Sequence, residues 1–263
     1  VDAYIGLAHA FMAEEKYTLA EQTLKQALEL EPNNWSVSMA MGSYLFKAGR
    51  VEESVDYFER IDELMPDSNA ATTNLGSAYF LLGRFKEAAA AWEDALAGMP
   101  TATLYSNLGS SYFFLGRFSA AARSYKKALA LTPESFESWG NLADAYIRAI
   151  ELTKQHLDIN PSDAFAIAAL AHYQAYLGQR VEALDNIKVA QKLAQKDMYV
   201  YYFSATALCA LDEQEQALEA INSALSLGYP AHLVTADAGL SSLKALPAFA
   251  TALLEHSRQQ PGI

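Results

Sequence analysis

Apolar residues recur at three- and four-residue steps along most of the chain, with polar residues between them; 86–96 and 119–129 are clear instances. That spacing gathers the apolar side chains on one face of an α-helix. No segment shows the apolar–polar alternation bounded by hairpin turns that a half-buried strand needs. The helices are punctuated at regular intervals. Pro32, Pro66, Pro100, Pro133 and Pro161 recur at nearly constant spacing, and Gly49, Gly83, Gly116 and Gly178 fall between them. Proline does not continue a helix, and glycine readily supplies the left-handed residue that ends one. The pattern therefore predicts helical pairs, turned by glycine and closed by proline, and an all-α fold.

Small residues recur in phase with this punctuation. One segment reads Leu75-Gly76, Tyr79, Gly83, Ala88, Trp92, Ala95, Pro100, and the next reads Leu108-Gly109, Tyr112, Gly116, Ala121, Tyr125, Ala128, Pro133. Met41-Gly42, Leu45, Gly49, Ser54, Phe58, Ile61, Pro66 and Leu7-Ala8, Phe11, Ala20, Leu24, Ala27, Pro32 repeat it upstream. Leu170-Ala171, Gly178, Ala183, Ile187, Ala190 and Ala205, Leu208, Ala217, Ile221, Ala224 repeat it more loosely downstream. Small residues belong where two helices cross closely, because a larger side chain would force them apart. In register, this pattern resembles the tetratricopeptide repeat family over most of the chain. The resemblance implies a right-handed superhelix, an α–α solenoid of about six to seven helical hairpins with a C-terminal capping region. The expected units are 1–34, 35–68, 69–101, 102–135, an irregular 136–163, 164–197 and 198–229, with a cap over 230–257, all in one solenoid domain over 1–263.

The fifth unit breaks the pattern. Trp139, Leu142-Ala143 and Tyr146 form a first helix, and Arg148 then runs straight into Ala149-Ile150-Glu151-Leu152 with no turn between. Either the helix runs through, or a segment is absent near 148/149; the second is the expectation. The tail carries Leu227-Gly228-Tyr229-Pro230, Asp237, Leu240, Leu243, Leu246-Pro247, Phe249 and Leu253-Leu254. It resembles the end of tetratricopeptide arrays in bacterial signalling proteins that carry a kinase, adenylate cyclase or winged-helix domain. That resemblance implies a regulatory segment, cytoplasmic or periplasmic, of a larger bacterial protein. The chain begins at Val1 and reads as a piece of something longer.

Charge removes some functions. With 31 acidic against 19 basic side chains the net charge is −12, which repels phosphate backbones and anionic lipid surfaces. Nucleic-acid binding and membrane insertion are not expected. The longest apolar runs, near 164–177 and 200–211, are too short and too interrupted to span a bilayer. The lone Cys209 can form neither an internal disulfide nor a thiolate metal site, and reads as a buried thiol. The five histidines (His9, His156, His172, His232, His256) are scattered, and neither a glycine-rich phosphate loop nor a zinc-binding spacing occurs. Glu52-Glu53, Glu213 and Glu215 open second helices, where the positive helix end favours them without any acid–base role. Neither an enzyme nor a cofactor is expected.

The resemblance also implies that the first helix of each unit lines a concave groove. Carried over position by position, it places Asn74, Asn107 and Asn141 at equivalent inward sites, as an asparagine ladder. An amide both donates and accepts, so it can pair with a peptide main chain regardless of sequence. Ser77 and Ser110, with Phe46, Phe80, Phe113, Phe114, Tyr176 and Tyr202, join the expected lining. The inward positions hold few cations, chiefly Lys47 and Arg148, which argues against a clamp for an acidic C-terminus. The expected partner is a protein or extended peptide, apolar or neutral to basic. A weaker alternative is self-association through the exposed end helices.

Overall fold

The computed structural model describes residues 1–65 and 68–259; Pro66 lies outside them. Among these residues all regular structure is helical. Six pairs of helices form antiparallel hairpins: α1 (Asp2–Ala13) with α2 (Tyr17–Leu30), α3 (Trp35–Lys47) with α4 (Val51–Leu64), α5 (Asn69–Leu81) with α6 (Phe85–Gly98), α7 (Ala102–Phe114) with α8 (Phe118–Leu131), α10 (Ala164–Tyr176) with α11 (Arg180–Leu193), and α12 (Met198–Ala210) with α13 (Gln214–Ser226). Between the fourth and fifth pairs stands one long helix, α9 (Phe136–Ile159). The tail is α14 (Ala231–Ala236), a 3₁₀ turn (Ala238–Leu240), α15 (Ser241–Lys244) and α16 (Pro247–Gln259). Packing divides the chain into two compact units, Val1–Leu142 and Ala143–Ile263.

The hairpin turns share one geometry. In each, the middle residue of the turn has positive φ: Gly49, Gly83, Gly116 and Gly178, but Glu15 and Asp212 in the first and last. The amide after it reaches back to a carbonyl of the first helix, as in Arg84 N to Tyr79 O at 2.8 Å and Arg117 N to Tyr112 O at 2.8 Å. These bonds satisfy carbonyls that a helix end leaves open. A left-handed backbone costs a residue with a Cβ about 1–2 kcal/mol, and glycine returns part of that gain as chain entropy. Glu15→Gly is therefore expected to raise stability by about 0.5 kcal/mol, read as a higher urea midpoint; a lower midpoint would mean that the Glu15 side chain contributes more than its strain costs.

In the first unit each hairpin from α3 onward crosses at a glycine. A Cβ on Gly42 would sit 2.6 Å from the Phe58 ring, on Gly76 2.4 Å from the Trp92 indole, and on Gly109 2.7 Å from the Tyr125 ring. The three rings are almost fully buried. Phenols then link a first helix to the second helix of the preceding hairpin: Tyr79 donates to Glu59 at 2.7 Å and Tyr112 donates to Glu93. Burial, and next the bond to Glu59, push the Tyr79 hydroxyl up to about 12, so it stays a neutral donor. In the second unit alanines take the crossing position, Ala171 against Ile187 and Ala205 against Ile221, all buried. Cys209 belongs to this core, and burial pushes its thiol up.

α9 runs without a break through Arg148 and Ala149, so the fifth unit is a single continuous helix. The tail closes the second unit. Val234, Leu240, Leu243 and Phe249 are buried against Ala217, Ala220, Ile221 and Leu225 of α13.

Candidate peptide groove

In the first unit the three asparagines occupy one register. Asn74 is the sixth residue of α5, Asn107 the sixth of α7 and Asn141 the sixth of α9, and all three are half-buried. The register follows from where each helix starts. Asn69 opens α5 after Ser68, and Thr101 caps α7 by accepting from Leu104 N at 3.2 Å. Asn74 Nδ2 reaches Met39 Sδ at 3.2 Å, a weak acceptor. Asn107 and Asn141 make no side-chain hydrogen bond among the described residues. Two amides thus retain donors and acceptors on a partly accessible surface.

The hydroxyls are differently placed. Ser77 donates to Thr73 O at 3.0 Å and Ser110 to Ser106 O at 3.1 Å, each one helical turn back. Ser110 also lies 3.1 Å from the Tyr125 hydroxyl. Ser106 meets Ser138 at 3.1 Å, tying α7 to the start of α9. The serines are therefore bound within and between helices, and their capacity for a ligand is smaller than that of the amides.

The aromatic residues divide between core and surface. Phe46 packs with Val55, Phe58 and Ile61. Phe80 meets Phe85, Phe114 and Trp92 with ring centroids at 5.3, 5.5 and 5.7 Å. Phe113 meets Phe118 at 5.1 Å. Phe85 stacks on Phe114 at 4.7 Å with the planes 12° apart, yet Phe114 stays 59% exposed. Leu81, at 61%, lies equally open. Leu81 and Phe85 are not among the expected lining; their apolar side chains at helix ends are the only sequence signal for them. Lys47 is exposed, and Arg148 is engaged with Glu151 at 3.0 Å.

The second unit carries a denser, partly buried aromatic cluster. Tyr176 stacks on Tyr146 at 5.2 Å, and His172 leans on Tyr176 at 4.8 Å while its Nδ1 lies 2.8 Å from Thr206 Oγ1. Tyr202 stacks on Tyr229 at 4.2 Å and donates to Asp237 at 2.5 Å. Burial first, and the Asp237 carboxylate second, push the Tyr202 hydroxyl far above its usual value; burial does the same to Tyr146 and Tyr176. All three remain neutral. Tyr176 and Tyr202 are thus tied into packing, with half-buried edges left over.

Several other charged residues form ion pairs within and between helices. Arg50 pairs with Glu53 at 2.5 Å, Arg180 pairs with Glu213, and His156 pairs with Asp163 at 2.8 Å. Among the described residues no three His, Cys, Asp or Glu side chains are placed to hold a metal. No helix there is long and apolar enough to cross a membrane.

Comparison with known proteins bears on this surface. Family models described as tetratricopeptide repeat match residues 5–68 and residues 67–134. The peroxisomal targeting signal receptor of Candida albicans is 32% identical over 98 residues, which cover 37% of this chain and 16% of that protein. The chain therefore spans about a sixth of that relative. Among solved structures, MamA protein superposes with a TM-score of 0.55 at 20% identity, covering 74% of this chain and 92% of its own. A tetratricopeptide repeat protein from Parabacteroides merdae superposes with a TM-score of 0.52 at 18% identity, covering 92% and 97%. At these identities the structural likeness concerns the fold.

Proposed function

We propose, from a chain whose residues 5–134 belong to the tetratricopeptide-repeat family, that this protein is a non-catalytic scaffold holding an extended peptide on the inner faces of its first helices. One observation carries the reading. Asn74, Asn107 and Asn141 recur at the sixth position of α5, α7 and α9, and the last two have unpaired amides among the described residues. An amide at each repeat step can pair with successive main-chain groups of an extended ligand. Phe80, Phe113 and the open ring of Phe114 offer apolar contacts beside the ladder. The net charge of −12 favours a neutral to basic partner. The relative at 32% identity, itself named as a receptor for a targeting signal, is consistent with peptide recognition.

The test is a double replacement. Asn107→Ala with Asn141→Ala should weaken binding of an extended basic–apolar peptide, selected from a random peptide library on the unaltered protein. Each lost main-chain bond is worth about 0.5–1.5 kcal/mol, so the pair should lower affinity roughly 5- to 150-fold. The helical circular dichroism should not change. Unaltered affinity would remove the ladder from the mechanism.

The same reading extends to the chain's setting, a regulatory part of a larger bacterial signalling protein. Its support is the tail, whose Leu240 and Leu243 anchors are buried as a terminal cap needs. Sequencing the full gene decides it: a kinase, cyclase or winged-helix domain upstream is the expected result, and an uninterrupted repeat protein would exclude it.

A further inference from the structure

α9 is a hairpin that never turned. First helices α3, α5, α7 and α9 begin at Trp35, Asn69, Ala102 and Phe136, an almost constant step, but α10 follows too soon, at Ala164. The shortfall matches the length of a hairpin turn and the opening of a second helix. The first 13 residues of α9, 136–148, match the 13-residue first helices α3, α5 and α7. The remainder, 149–159, corresponds to the inner part of a second helix. Because α9 is continuous, these halves point away from each other. Neither has its hairpin mate.

The exposure pattern records both missing mates. In every complete hairpin the eighth residue of the family's first-helix pattern is buried: Ala8, Gly42, Gly76, Gly109, Ala171 and Ala205. In α9 that residue, Ala143, is only half-buried. Its neighbour Trp139 is 55% exposed, where the equivalent Ser38, Thr72 and Ile167 are buried and Tyr4, Tyr105 and Tyr201 are half-buried. The opposite wall tells the same story. The second-helix residue that faces the crossing is buried in all six hairpins, as Leu24, Phe58, Trp92, Tyr125, Ile187 and Ile221. In α9 it is Thr153, half-buried, and one turn on His156 is exposed where the others carry buried Ala or Ile. The outer ends add Phe136, 88% exposed, and Ile159, 79% exposed. So 136–148 lacks a second helix, and 149–159 lacks a first.

The two deficits complement each other. In a complete hairpin a first helix such as 136–148 is covered by a second-helix segment of the kind that 149–159 represents, and the reverse also holds. One chain cannot supply both faces to itself, because Ala143 and Thr153 lie on one straight helix, about 15 Å apart along its axis. A second copy can. We propose that two copies exchange these halves, each placing its 149–159 against the other's 136–148, so that two complete fifth hairpins form across a two-fold axis. The contact is isologous and closed, as expected when a hinge is too short to let a hairpin close on itself. The pairing brings Ala143 of each copy opposite Thr153 of the other, the relation of Ala171 to Ile187 and Ala205 to Ile221 within the chain. It also covers Trp139 and Leu152.

Restoring the turn tests the exchange. A second copy of residues 115–120, inserted between Arg148 and Ala149, brings α10 back into the repeat spacing and supplies Gly116 for the turn. Light scattering after size exclusion should give the unaltered chain at twice the mass of one copy and the insertion variant at the mass of one. A monomeric unaltered chain would overturn the proposal, and so would an insertion variant that stays dimeric. The combined variant Ala143→Cys, Thr153→Cys, Cys209→Ser covers an insertion that does not fold. A short bifunctional thiol reagent should link it into covalent dimers, while either single cysteine gives far less; equal yields would also overturn the exchange.

Discussion

Replacing Trp92 with Ala is expected to lower stability by about 3–5 kcal/mol. The indole is 2% exposed and sits among Ala88, Ala89, Ala95, Leu104 and Leu108, so it fills both its own hairpin and the junction with the next. Truncation leaves a cavity that short alanine side chains cannot close. The reverse change at the same contact is also informative. Gly76→Ala puts a methyl group 2.4 Å from the Trp92 indole nitrogen, in space that the indole cannot vacate while it stays buried. Overpacking of this kind costs about 1–3 kcal/mol, which exceeds or cancels the roughly 1 kcal/mol that alanine gains over glycine in a helix. Gly6→Ala is the control, since nothing lies within 4 Å of the new methyl group and only the gain remains. Urea titrations of the three variants should therefore rank Gly6→Ala above the unaltered protein, Gly76→Ala at or below it, and Trp92→Ala lowest. A Gly76→Ala variant as stable as Gly6→Ala would mean that the helices do not cross there.

That contact also explains why the fold was legible in the sequence. A glycine at a constant distance before a large ring (Gly42 and Phe58, Gly76 and Trp92, Gly109 and Tyr125) is a packing requirement written as spacing. It survives in one sequence because both partners lie on the same hairpin, a fixed distance apart along the chain. Features that depended on more than local spacing were not legible. Glu15 and Asp212 adopt the left-handed backbone without glycine, because the turn is imposed by the bond from the next amide back to the first helix. The partner of Tyr202 is Asp237, far along the chain in the tail, and no periodicity links them.

The site was legible in position more than in chemistry. The helix starts set by Ser68, Thr101 and Ser135 fix the asparagine register, and those residues are visible in the sequence. Whether a side chain in that register is free is decided by its neighbours. Ser77 and Ser110 turn their hydroxyls onto their own helix, which a single polar residue on a helix readily does. Asn107 and Asn141 make no such bond among the described residues, so their amides stay open. For the same reason the break at Arg148 and Ala149 was visible while its outcome was not. The sequence lacks a turn there, and the helix runs through because each half retains helix-forming residues and packing on its own side: Ser138 bonds to Ser106, and Leu157 packs with Ile167, Ala168 and Val200.

Leu243→Ala in the tail should cost about 2–5 kcal/mol, and its effect should be local before it is global. α14, the 3₁₀ turn and α15 contain 6, 3 and 4 residues, each too short to hold helical structure unaided. They persist because Val234, Leu240 and Leu243, none of them exposed, bury themselves on α13. Asp237 adds a polar tie, accepting from Gly239 N at 2.7 Å and from the Tyr202 hydroxyl. Removing one of three anchors withdraws much of what orders these pieces, while the hairpin of α12 and α13 keeps its own crossing at Ala205 and Ile221. Amide hydrogen exchange should therefore accelerate over 231–246 in Leu243→Ala at denaturant concentrations where 198–226 remains protected. Leu233→Ala serves as the comparison, because Leu233 is 45% exposed and little buried area is lost with it. If the two variants exchange alike, the tail is not held by buried leucines, and the end of the second unit is closed by something other than this cap.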